Sequence, residues 1–279
     1  MDPIKVMING LPGNVTTVIA RQVLADSRFR VLPYALTGPE IDYDQCHINE
    51  TAFELIKPQD RQARIEAIKA AEGDFITADF THPSAVNANA EFYCRQNLPF
   101  VMGTTGGDRE LLVKTVQDSP IAAVIAPNMA KQIVGFQAMM AYAAERFPNL
   151  FKGYRLTLRE SHQAGKADTS GTAKAMVSYF NCMGIDFTTE QIEKERDPER
   201  QRNMWGVPPA YLDGHAWHTY TLLSGDETAK FEFIHNINGR DIYGDGAMDA
   251  IVYLHQKVSK GAKGEVFSMI DVLESGGKV

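Results

Sequence analysis

The sequence predicts an α/β protein with a doubly wound parallel sheet, followed by a second, α+β domain with a mixed or antiparallel sheet. Over the first 130 residues, short apolar runs alternate with amphipathic stretches of helical length, which is typical of βα units with right-handed crossovers. A glycine-containing turn follows the first apolar run, and beyond residue 128 several stretches alternate with period two. We therefore predict a Rossmann-like domain over residues 1–128, a second domain over 129–243 and a return to the first domain over 244–279.

The elements of the first domain are predicted from apolar runs of strand length and the amphipathic stretches between them. A short, nearly continuous apolar run is typical of a parallel strand that is covered on both faces. The five predicted strands are residues 4–9, 29–36, 74–80, 98–102 and 121–126, and the four predicted helices are residues 15–25, 59–71, 83–96 and 108–117.

The second domain has a different periodicity, in which apolar and polar residues alternate as they do in strands with one covered face. The run 190–202 is rich in charge, and we interpret it as a solvated helix or insertion to which we assign no chemistry. The predicted strands of this part of the chain are residues 153–162, 215–223, 230–238 and 266–273, and the predicted helices are residues 131–146 and 247–258.

Composition excludes disordered and fibrous proteins, because 44% of the 279 residues are hydrophobic and 23% are charged. The formal net charge of −7 disfavours nucleic acid and anionic membranes as partners. The three cysteines include no CxxC pair, and no uninterrupted apolar run reaches the length of a membrane span. We expect a cytoplasmic protein in a reducing compartment.

The turn after the first strand predicts a phosphate-binding site. Gly10 lets the backbone turn tightly, and Gly13 precedes a helix whose first residues are Asn14 and Val15. The free amides and the dipole at such a helix start attract a pyrophosphate. Thr16 replaces the third glycine of the usual fingerprint, so the motif alone is weak and an ordinary βα turn is the alternative.

The end of the second predicted strand bears on the choice of coenzyme. A carboxylate there commonly binds the ribose diol of NAD and would repel the 2′-phosphate of NADP. The chain has Thr37 at this place and no adjacent carboxylate. We therefore favour NADPH over NADH, with Thr37 or Arg21 as candidate partners of the phosphate.

Three further strand ends carry small or polar residues. In an open α/β sheet the ligand lies beyond the carboxyl ends of the strands, so these segments should converge on the same dinucleotide. Each segment by itself is also an ordinary turn signal. The predicted coenzyme-binding residues at these ends are Phe80, Thr81, Gly103, Thr105, Pro127, Asn128 and Met129.

The segment 160–174 is the most informative part of the sequence. Alternation places Glu160 and His162 on the covered face, after three apolar residues. Lys166 follows in a glycine-containing loop, and Ser170 opens an amphipathic helix. A lysine beside a helix start suits a substrate carboxylate, and a nearby histidine can exchange a proton near neutral pH. The alternative is a hydrogen-bonded core histidine followed by a plain helix cap.

The remaining histidines of the second domain and one arginine complete the candidates. His215, His218 and His235 lack a metal-ligand spacing such as HExxH, so we interpret them as structural and predict no metal. Arg240 ends a predicted strand and could meet a second substrate carboxylate, although a surface arginine fits equally well. The sequence contains no GxSxG motif, so it does not favour a serine hydrolase.

Taken together, these motifs resemble the dihydrodipicolinate reductases, also called 4-hydroxy-tetrahydrodipicolinate reductases, of lysine and diaminopimelate biosynthesis. The sequence of residues 160–173 is most similar to that of the plant-type branch. The resemblance implies an NAD(P)H-dependent oxidoreductase that reduces dihydrodipicolinate, formed from 4-hydroxy-tetrahydrodipicolinate, to tetrahydrodipicolinate. It also implies that the second domain binds the cyclic dicarboxylate and mediates assembly of a homo-oligomer, a dimer or a tetramer.

The resemblance assigns roles to individual residues of the second domain. His162 corresponds to the proton donor, and Lys166 to a carboxylate-binding lysine that assists catalysis. Many bacterial members have a second histidine where this chain has Gln163, and Thr16 replaces a family glycine. The residues that the resemblance places at the substrate are Gln163, Ser170, Gly171, Thr172 and Arg240.

Two other functions remain open at the level of sequence. The chain could be another two-domain Rossmann dehydrogenase, such as an amino-acid dehydrogenase, or a non-catalytic sensor that binds a nucleotide. Turnover of a different substrate would reveal the first, and coenzyme binding without turnover would reveal the second. The pairing of His162 with Lys166 favours an enzyme.

Overall fold

The computed structural model describes residues 2–276, so residue 1 and residues 277–279 of the predicted domain ranges lie outside it. The chain forms two units. The first comprises Met1–Lys131 and Asp241–Val279, and the second comprises Gln132–Arg240. Each observed boundary lies three residues from the predicted one, inside the predicted second domain. The C-terminal segment returns to the first unit.

The helices and strands of the two units are numbered in chain order. The strands are β1 (Ile4–Asn9), β2 (Phe29–Val31), β3 (Tyr34–Leu36), β4 (Gln45–Ile48), β5 (Thr51–Ile56), β6 (Ile76–Asp79), β7 (Phe100–Met102), β8 (Ala122–Ile125), β9 (Arg155–His162), β10 (Glu193–Glu195), β11 (His215–Leu223), β12 (Lys230–Asn238) and β13 (Glu265–Phe267). The helices are α1 (Asn14–Ala25), α2 (Arg61–Glu72), α3 (Val86–Arg95), α4 (Arg109–Gln117), α5 (Lys131–Arg146), α6 (Gly171–Cys182), α7 (Pro198–Arg200), α8 (Ile242–Ser259) and α9 (Met269–Glu274).

The first unit is built on a six-stranded sheet in the order β13-β8-β7-β6-β1-β2, and every neighbouring pair is parallel. Its central strands are covered on both faces. Val6, Met7 and Ile8 of β1 are successive fully buried residues, as expected for a parallel sheet with helices on both sides. The predicted doubly wound sheet is confirmed.

The predicted strand 29–36 is wrong as a single strand. Its first half, β2, pairs with β1, whereas its second half, β3, pairs with β5 in a separate three-stranded sheet of order β3-β5-β4. Pro33 stands at the division, and proline has no backbone N–H to continue a ladder. The hairpin of β4 and β5 was not predicted, although Asn49, with a φ of +52°, marks its turn.

The predicted strand 266–273 is also wrong over most of its length. Only β13 pairs with the sheet, and a helix follows at once because Ser268 and Asp271 form a capping box. The Ser268 hydroxyl accepts from the Asp271 amide at 3.3 Å, while the Asp271 carboxylate accepts from the Ser268 amide at 2.6 Å. The serine-to-aspartate spacing signals a helix start and outweighs the apolar pattern.

The second unit contains a four-stranded sheet in the order β10-β9-β11-β12. The pairs β9–β11 and β11–β12 are antiparallel and β9–β10 is parallel, so the predicted mixed sheet is confirmed. Its covered face packs against the apolar side of α6, with Leu158, Phe180 and Tyr220 fully buried. The sheet thus supplies a rigid base for side chains near the end of β9.

The interpretation of the charged run 190–202 as wholly solvated is wrong. The run contains β10, which pairs with β9, and continues through α7. Glu195 and Gln201 are buried, and the Gln201 amide donates to the His162 carbonyl. Part of the run therefore packs beside the segment that carries the proposed chemistry.

Candidate active site

The turn after β1 is shaped by two glycines. Gly10 has a φ of +105°, and a Cβ atom there would collide with the Phe80 carbonyl. A Cβ atom on Gly13 would lie 2.8 Å from the Gly10 carbonyl oxygen. Gly13 is the N-cap of α1 and has no capping side chain, so the first amides of the helix, at Asn14 and Val15, can bind an anion. This geometry fits a pyrophosphate.

Thr16 occupies the place of the third fingerprint glycine. It is buried, and its hydroxyl donates to the Phe80 carbonyl oxygen at 3.2 Å. This is the carbonyl that crowds Gly10. Thr16 therefore ties the residue after β6 to the glycine turn, and the departure from glycine adds a hydrogen bond at the edge of the sheet.

The end of β3 carries the residues that bear on coenzyme choice. The Thr37 hydroxyl donates to the Leu11 carbonyl at 2.9 Å, so it is already used within the turn. Arg21 is exposed on α1. The Glu40 carboxylate lies over Gly38, where a Cβ atom would collide with both carboxylate oxygens. The structure thus brings a carboxylate to a strand end whose adjacent sequence has none.

A buried carboxylate organises the ends of β6 and β7. Asp79 is 0% exposed and accepts five hydrogen bonds. Thr81 donates its amide at 3.1 Å and its hydroxyl at 2.8 Å, and Thr104 donates its hydroxyl at 2.7 Å. Asn89 and Tyr93 of α3 donate at 3.0 and 2.7 Å. Burial, and then the Asp79 charge, raise the pKa of Tyr93 well above its usual value, so its phenol remains a donor.

The other predicted coenzyme residues follow β6, β7 and β8, whose carboxyl ends share one edge of the parallel sheet. The Phe80 ring lies over Gly103, where a Cβ atom would collide with it. Glycine therefore makes room for the ring at this edge. Among the remaining candidates, Thr105 and Pro127 are exposed, Asn128 is half-buried, and Met129 is buried.

A row of polar side chains crosses the covered face of the second sheet. The registers pair Glu160 with His218 and His218 with His235, just beyond the apolar pair Leu158 and Tyr220. The two imidazole rings stack with centroids 4.6 Å apart. The predicted alternation along β9 is confirmed, and the register explains why these three groups meet.

His162 lies two residues beyond Glu160 on the same face and is buried. Its Nδ1 lies 3.2 Å from the His215 carbonyl oxygen, which can only accept, so Nδ1 carries a proton. Nε2 has no hydrogen-bond partner among residues 2–276. Burial and then the charges of Arg196 and Lys166 lower the pKa of His162 to about 4. The free histidine is therefore neutral near pH 7, and its buried Nε2 carries no proton.

Glu160 is 0% exposed and has a cationic partner that the sequence did not reveal. Its carboxylate accepts from the guanidinium of Arg196 and, at 3.1 Å, from the amide of Ser170. His162 and His218 place their Nε2 atoms 4.0 and 3.8 Å from it. The only sequence signal for Arg196 was general: a buried glutamate needs a cation, and the charged run offers several.

The loop between β9 and α6 carries the predicted carboxylate-binding groups. The Lys166 ammonium lies 2.8 Å from the Asp168 carboxylate. Ser170 is the N-cap of α6, and Gly171 and Thr172 begin the helix. The amides of this first turn lack intrahelical acceptors, so an anion can bind there beside the lysine.

The structure also places the last two substrate candidates. Gln163 is half-buried directly after His162. A Cβ atom on Gly214 would lie 3.0 Å from the guanidinium of Arg240, and Gly214 precedes His215, whose carbonyl contacts His162. The second unit therefore contains the histidine, the lysine, the helix start and the arginine.

Glu160, His162 and His218 present possible metal ligand atoms within 4.8 Å of one another. The carboxylate already accepts from a guanidinium and a backbone amide. A metal ion would add charge beside Arg196 and displace those donors. We therefore assign this group to hydrogen bonding and electrostatics.

Comparison with known families gives matches over both parts of the chain. Residues 4–129 match the family described as dihydrodipicolinate reductase, N-terminus. Residues 133–273 match the family described as dihydrodipicolinate reductase, C-terminus. The two matches meet near the boundary between the structural units.

Several similar proteins come from plants. A probable 4-hydroxy-tetrahydrodipicolinate reductase 1, chloroplastic, of Oryza sativa subsp. japonica is 43% identical over 271 residues, covering 97% of this chain and 79% of the relative. The 4-hydroxy-tetrahydrodipicolinate reductase 1, chloroplastic, of Arabidopsis thaliana is 42% identical over 274 residues, covering 98% and 78%. The predicted resemblance to the plant-type branch is confirmed.

A solved structure supports the fold. A dipicolinate-bound dihydrodipicolinate reductase from Paenisporosarcina sp. TG-14 superposes with a TM-score of 0.63 at 19% identity, covering 95% of this chain and 97% of that one. Across residues 2–276, no helix has the length and apolar character needed to cross a membrane.

Proposed function

The chain belongs to the dihydrodipicolinate reductase family, and from this premise we propose that it reduces dihydrodipicolinate, formed from 4-hydroxy-tetrahydrodipicolinate, to tetrahydrodipicolinate. This reaction belongs to lysine and diaminopimelate biosynthesis. The observation that carries the proposal is that Nε2 of His162 has no hydrogen-bond partner within the described part of the chain, in the unit that also holds Lys166 and the start of α6. The chain is therefore an oxidoreductase that pairs a coenzyme-binding unit with a proton-donating one.

The first unit has the residues that a nicotinamide dinucleotide requires. Gly10 and Gly13 leave backbone space and helix amides for the pyrophosphate. When bound, the reduced nicotinamide supplies a hydride to an electrophilic carbon of the substrate ring. Phe80 and Gly103 shape the strand ends that we assign to the nicotinamide.

In the proposed reaction, His162 supplies the proton that completes the reduction. Its Nδ1 proton is held by the His215 carbonyl, so a second proton binds at Nε2 and is given to the carbon next to the one that receives hydride. Burial, and then the charges of Arg196 and Lys166, lower the pKa of His162 and oppose this protonation in the free protein. A substrate with two carboxylates offsets their charge, so we infer that substrate binding raises the pKa of His162.

We assign the two substrate carboxylates to two groups of the second unit. Lys166 and the amides of Gly171 and Thr172 form one anion-binding group, with Ser170 at the cap. Arg240 is assigned to the other carboxylate, and Gln163 to a polar contact beside His162. The bacterial relative that was solved with dipicolinate, a cyclic dicarboxylate, supports this class of ligand.

The test is oxidation of NADPH and NADH, followed by absorbance, with freshly generated substrate. We expect turnover by the wild type and a fall in kcat of about 100-fold or more for His162→Ala. Lys166→Ala should mainly raise the KM for the substrate. His255→Ala, an exposed histidine on α8, is the matched control.

The outcomes separate the alternatives. No turnover by the wild type, or full activity in both site variants, contradicts the proposal. Coenzyme binding without turnover, measured by nicotinamide fluorescence, would indicate a nucleotide sensor. Turnover of an amino acid in place of the ring substrate would indicate another two-domain dehydrogenase.

For the coenzyme, the residues adjacent to the β3 end favour NADPH, our proposed preference. The Glu40 carboxylate over Gly38 opposes it, because a carboxylate there binds a ribose diol and repels a 2′-phosphate. The ratio of the dissociation constants for NADPH and NADH tests the proposed preference. In Glu40→Gln, NADPH binding should strengthen relative to NADH, and an unchanged ratio would remove Glu40 from coenzyme selection.

We further propose a homo-oligomer, a dimer or a tetramer, located in the cytoplasm. The edge strand β12 exposes Phe231 and Ile234, which is the kind of apolar surface that subunit contacts cover. Free cysteines at Cys46, Cys94 and Cys182 fit a reducing compartment. The plant relatives are named chloroplastic, so fractionation of the source cells tests the location and a solution mass tests the assembly.

A further inference from the structure

The loop 163–170 has little apolar packing to hold it. Ala164, Gly165 and Ala167 are exposed, and no heavy atom of the described residues lies within 4 Å of a Cβ built on Gly165. Within the loop, the Lys166 amide donates to the Gln163 carbonyl at 3.0 Å. Segments with few buried contacts open easily. The position of the Lys166 ammonium therefore depends on polar anchors.

Arg196 supplies such anchors from the segment after β10. Its Nε donates to the Lys166 carbonyl oxygen at 2.9 Å, and its Nη2 donates to the Asp168 carbonyl oxygen at 3.4 Å. Nη1 donates to the Glu195 carbonyl oxygen at 2.9 Å, and Nη2 also pairs with Glu160. These four bonds use four of the roughly five N–H groups that a guanidinium offers.

Glu160 closes the arrangement at the far end of the loop. The carboxylate oxygen that does not pair with Arg196 accepts from the Ser170 amide at 3.1 Å. One ion pair, of a half-buried guanidinium and a fully buried carboxylate, thus contacts the backbone of residues 166, 168 and 170. Because Glu160 lies within β9, whose neighbours are β10 and β11, the loop is fastened to the rigid sheet.

We propose that Arg196 is a positioning residue for substrate binding: together with Glu160 it holds loop 163–170 so that Lys166 and the start of α6 face one substrate carboxylate. This inference rests on the proposed function of the second unit. Arg196 acts through the backbone of the loop, because its donors are already committed to protein acceptors. A lysine could not replace it, since an ammonium cannot direct donors along a planar fork to two carbonyls and a carboxylate.

The experiment compares Arg196→Ala and Arg196→Lys with the wild type. Arg202→Ala is the control, because Arg202 is an exposed arginine a few residues along the same segment whose Nε contacts its neighbour Asn203. We expect Arg196→Ala to raise the KM for the dicarboxylate about tenfold or more, with the KM for coenzyme unchanged. Arg196→Lys should recover only a small part of the loss. Added guanidinium ion should lower the KM of Arg196→Ala but not that of Lys166→Ala.

Hydrogen exchange of the full-length protein without ligand gives a second readout. Amides of residues 166–170 should exchange faster in both Arg196 variants and at the wild-type rate in Arg202→Ala. A raised KM with unchanged exchange would mean that Arg196 touches the substrate itself, which overturns the proposal. An unchanged substrate KM in a folded Arg196→Ala protein overturns it as well.

The two readouts keep this inference separate from the proposed function. If the wild type does not turn over the substrate, the proposed function fails, while faster exchange in the variants still supports the anchoring of the loop. If Arg196→Ala does not fold, Arg196→Lys and Glu160→Gln carry the same measurements. If the amides of residues 166–170 exchange at the wild-type rate in both Arg196→Lys and Glu160→Gln, the proposal that the ion pair holds the loop is contradicted.

Discussion

Each unit contains a fully buried carboxylate near the carboxyl end of a strand, and the two are satisfied in opposite ways. Asp79, at the end of β6, accepts five hydrogen bonds from neutral groups. Glu160, in β9, accepts from the cation Arg196 and one backbone amide, with the two imidazoles of His162 and His218 within about 4 Å. Only the second arrangement places imidazoles, whose charge changes on protonation, beside the carboxylate.

The difference corresponds to the role that we propose for each unit. A pyrophosphate and a nicotinamide are held by backbone shape, so neutral donors that fix the strand ends are sufficient. Delivering a proton to a dianion requires charges that respond to the ligand. We infer that the neutral network around Asp79 preserves geometry and that the charged network around Glu160 couples protonation to substrate binding.

The largest expected effect is that of Glu160→Gln on the second unit. Glu160 is fully buried and its partner Arg196 is half-buried, so removing the carboxylate charge leaves the guanidinium without its counter-charge, which costs about 3 kcal/mol. Both tryptophans of the chain, Trp205 and Trp217, lie in this unit, so urea unfolding followed by tryptophan fluorescence reports on it. Glu193→Gln is the control. It breaks an exposed ion pair, in which the Glu193 carboxylate lies 3.4 Å from Nε of Arg159, and should change the free energy of unfolding by less than about 1 kcal/mol. Equal losses would erase the distinction between buried and exposed pairs.

The pair of Glu160 with Arg196 also shows what the sequence could not predict. The glycine turn and the segment from His162 to Thr172 are local, so their residue types and spacing carried the prediction. The partner of Glu160 is 36 positions away in a run where most charged residues are exposed. Nothing in the run distinguishes Arg196 from Arg200 or Arg202, because the register of β10 with β9 makes the choice.

The same limit explains the errors in the fold. Long periodic segments such as β9, β11 and α6 were predicted because each buries one face continuously. The sheet of β3, β4 and β5 was missed because its strands are short and join only by pairing with one another. Likewise, Glu40 reaches the end of β3 through a turn, and a strand-end rule that inspects adjacent positions cannot find it.

Asp79→Asn should have a smaller effect, in the first unit. An asparagine keeps the shape but turns one acceptor oxygen into a donor that faces other donors, which costs about 2–3 kcal/mol. Calorimetric unfolding measures the loss, and Asp74→Asn, an exposed position before β6, is the control. NADPH binding should weaken together with stability, because Thr81 and Thr104 lose the acceptor that fixes their strand ends. A loss larger than that of Glu160→Gln would reverse the comparison.

The smallest expected effect is a pH dependence confined to the second unit. Burial lowers the pKa of His162 and of His235 to about 4, against 6.5 for an ordinary histidine. The unfolded chain therefore binds these protons more tightly than the folded one, so stability is full above pH 6.5 and is lost as the pH falls toward 4. Between pH 6.5 and 5.5, His162 and His235 should each cost about 1 kcal/mol in tryptophan-detected unfolding, and His215 and His218 of the same unit, whose pKa burial also lowers, should add to this loss. His235→Gln should reduce the loss by about 1 kcal/mol, and His255→Gln should leave it unchanged; a loss unaffected by His235→Gln would mean that His235 does not contribute to the pH dependence of this unit.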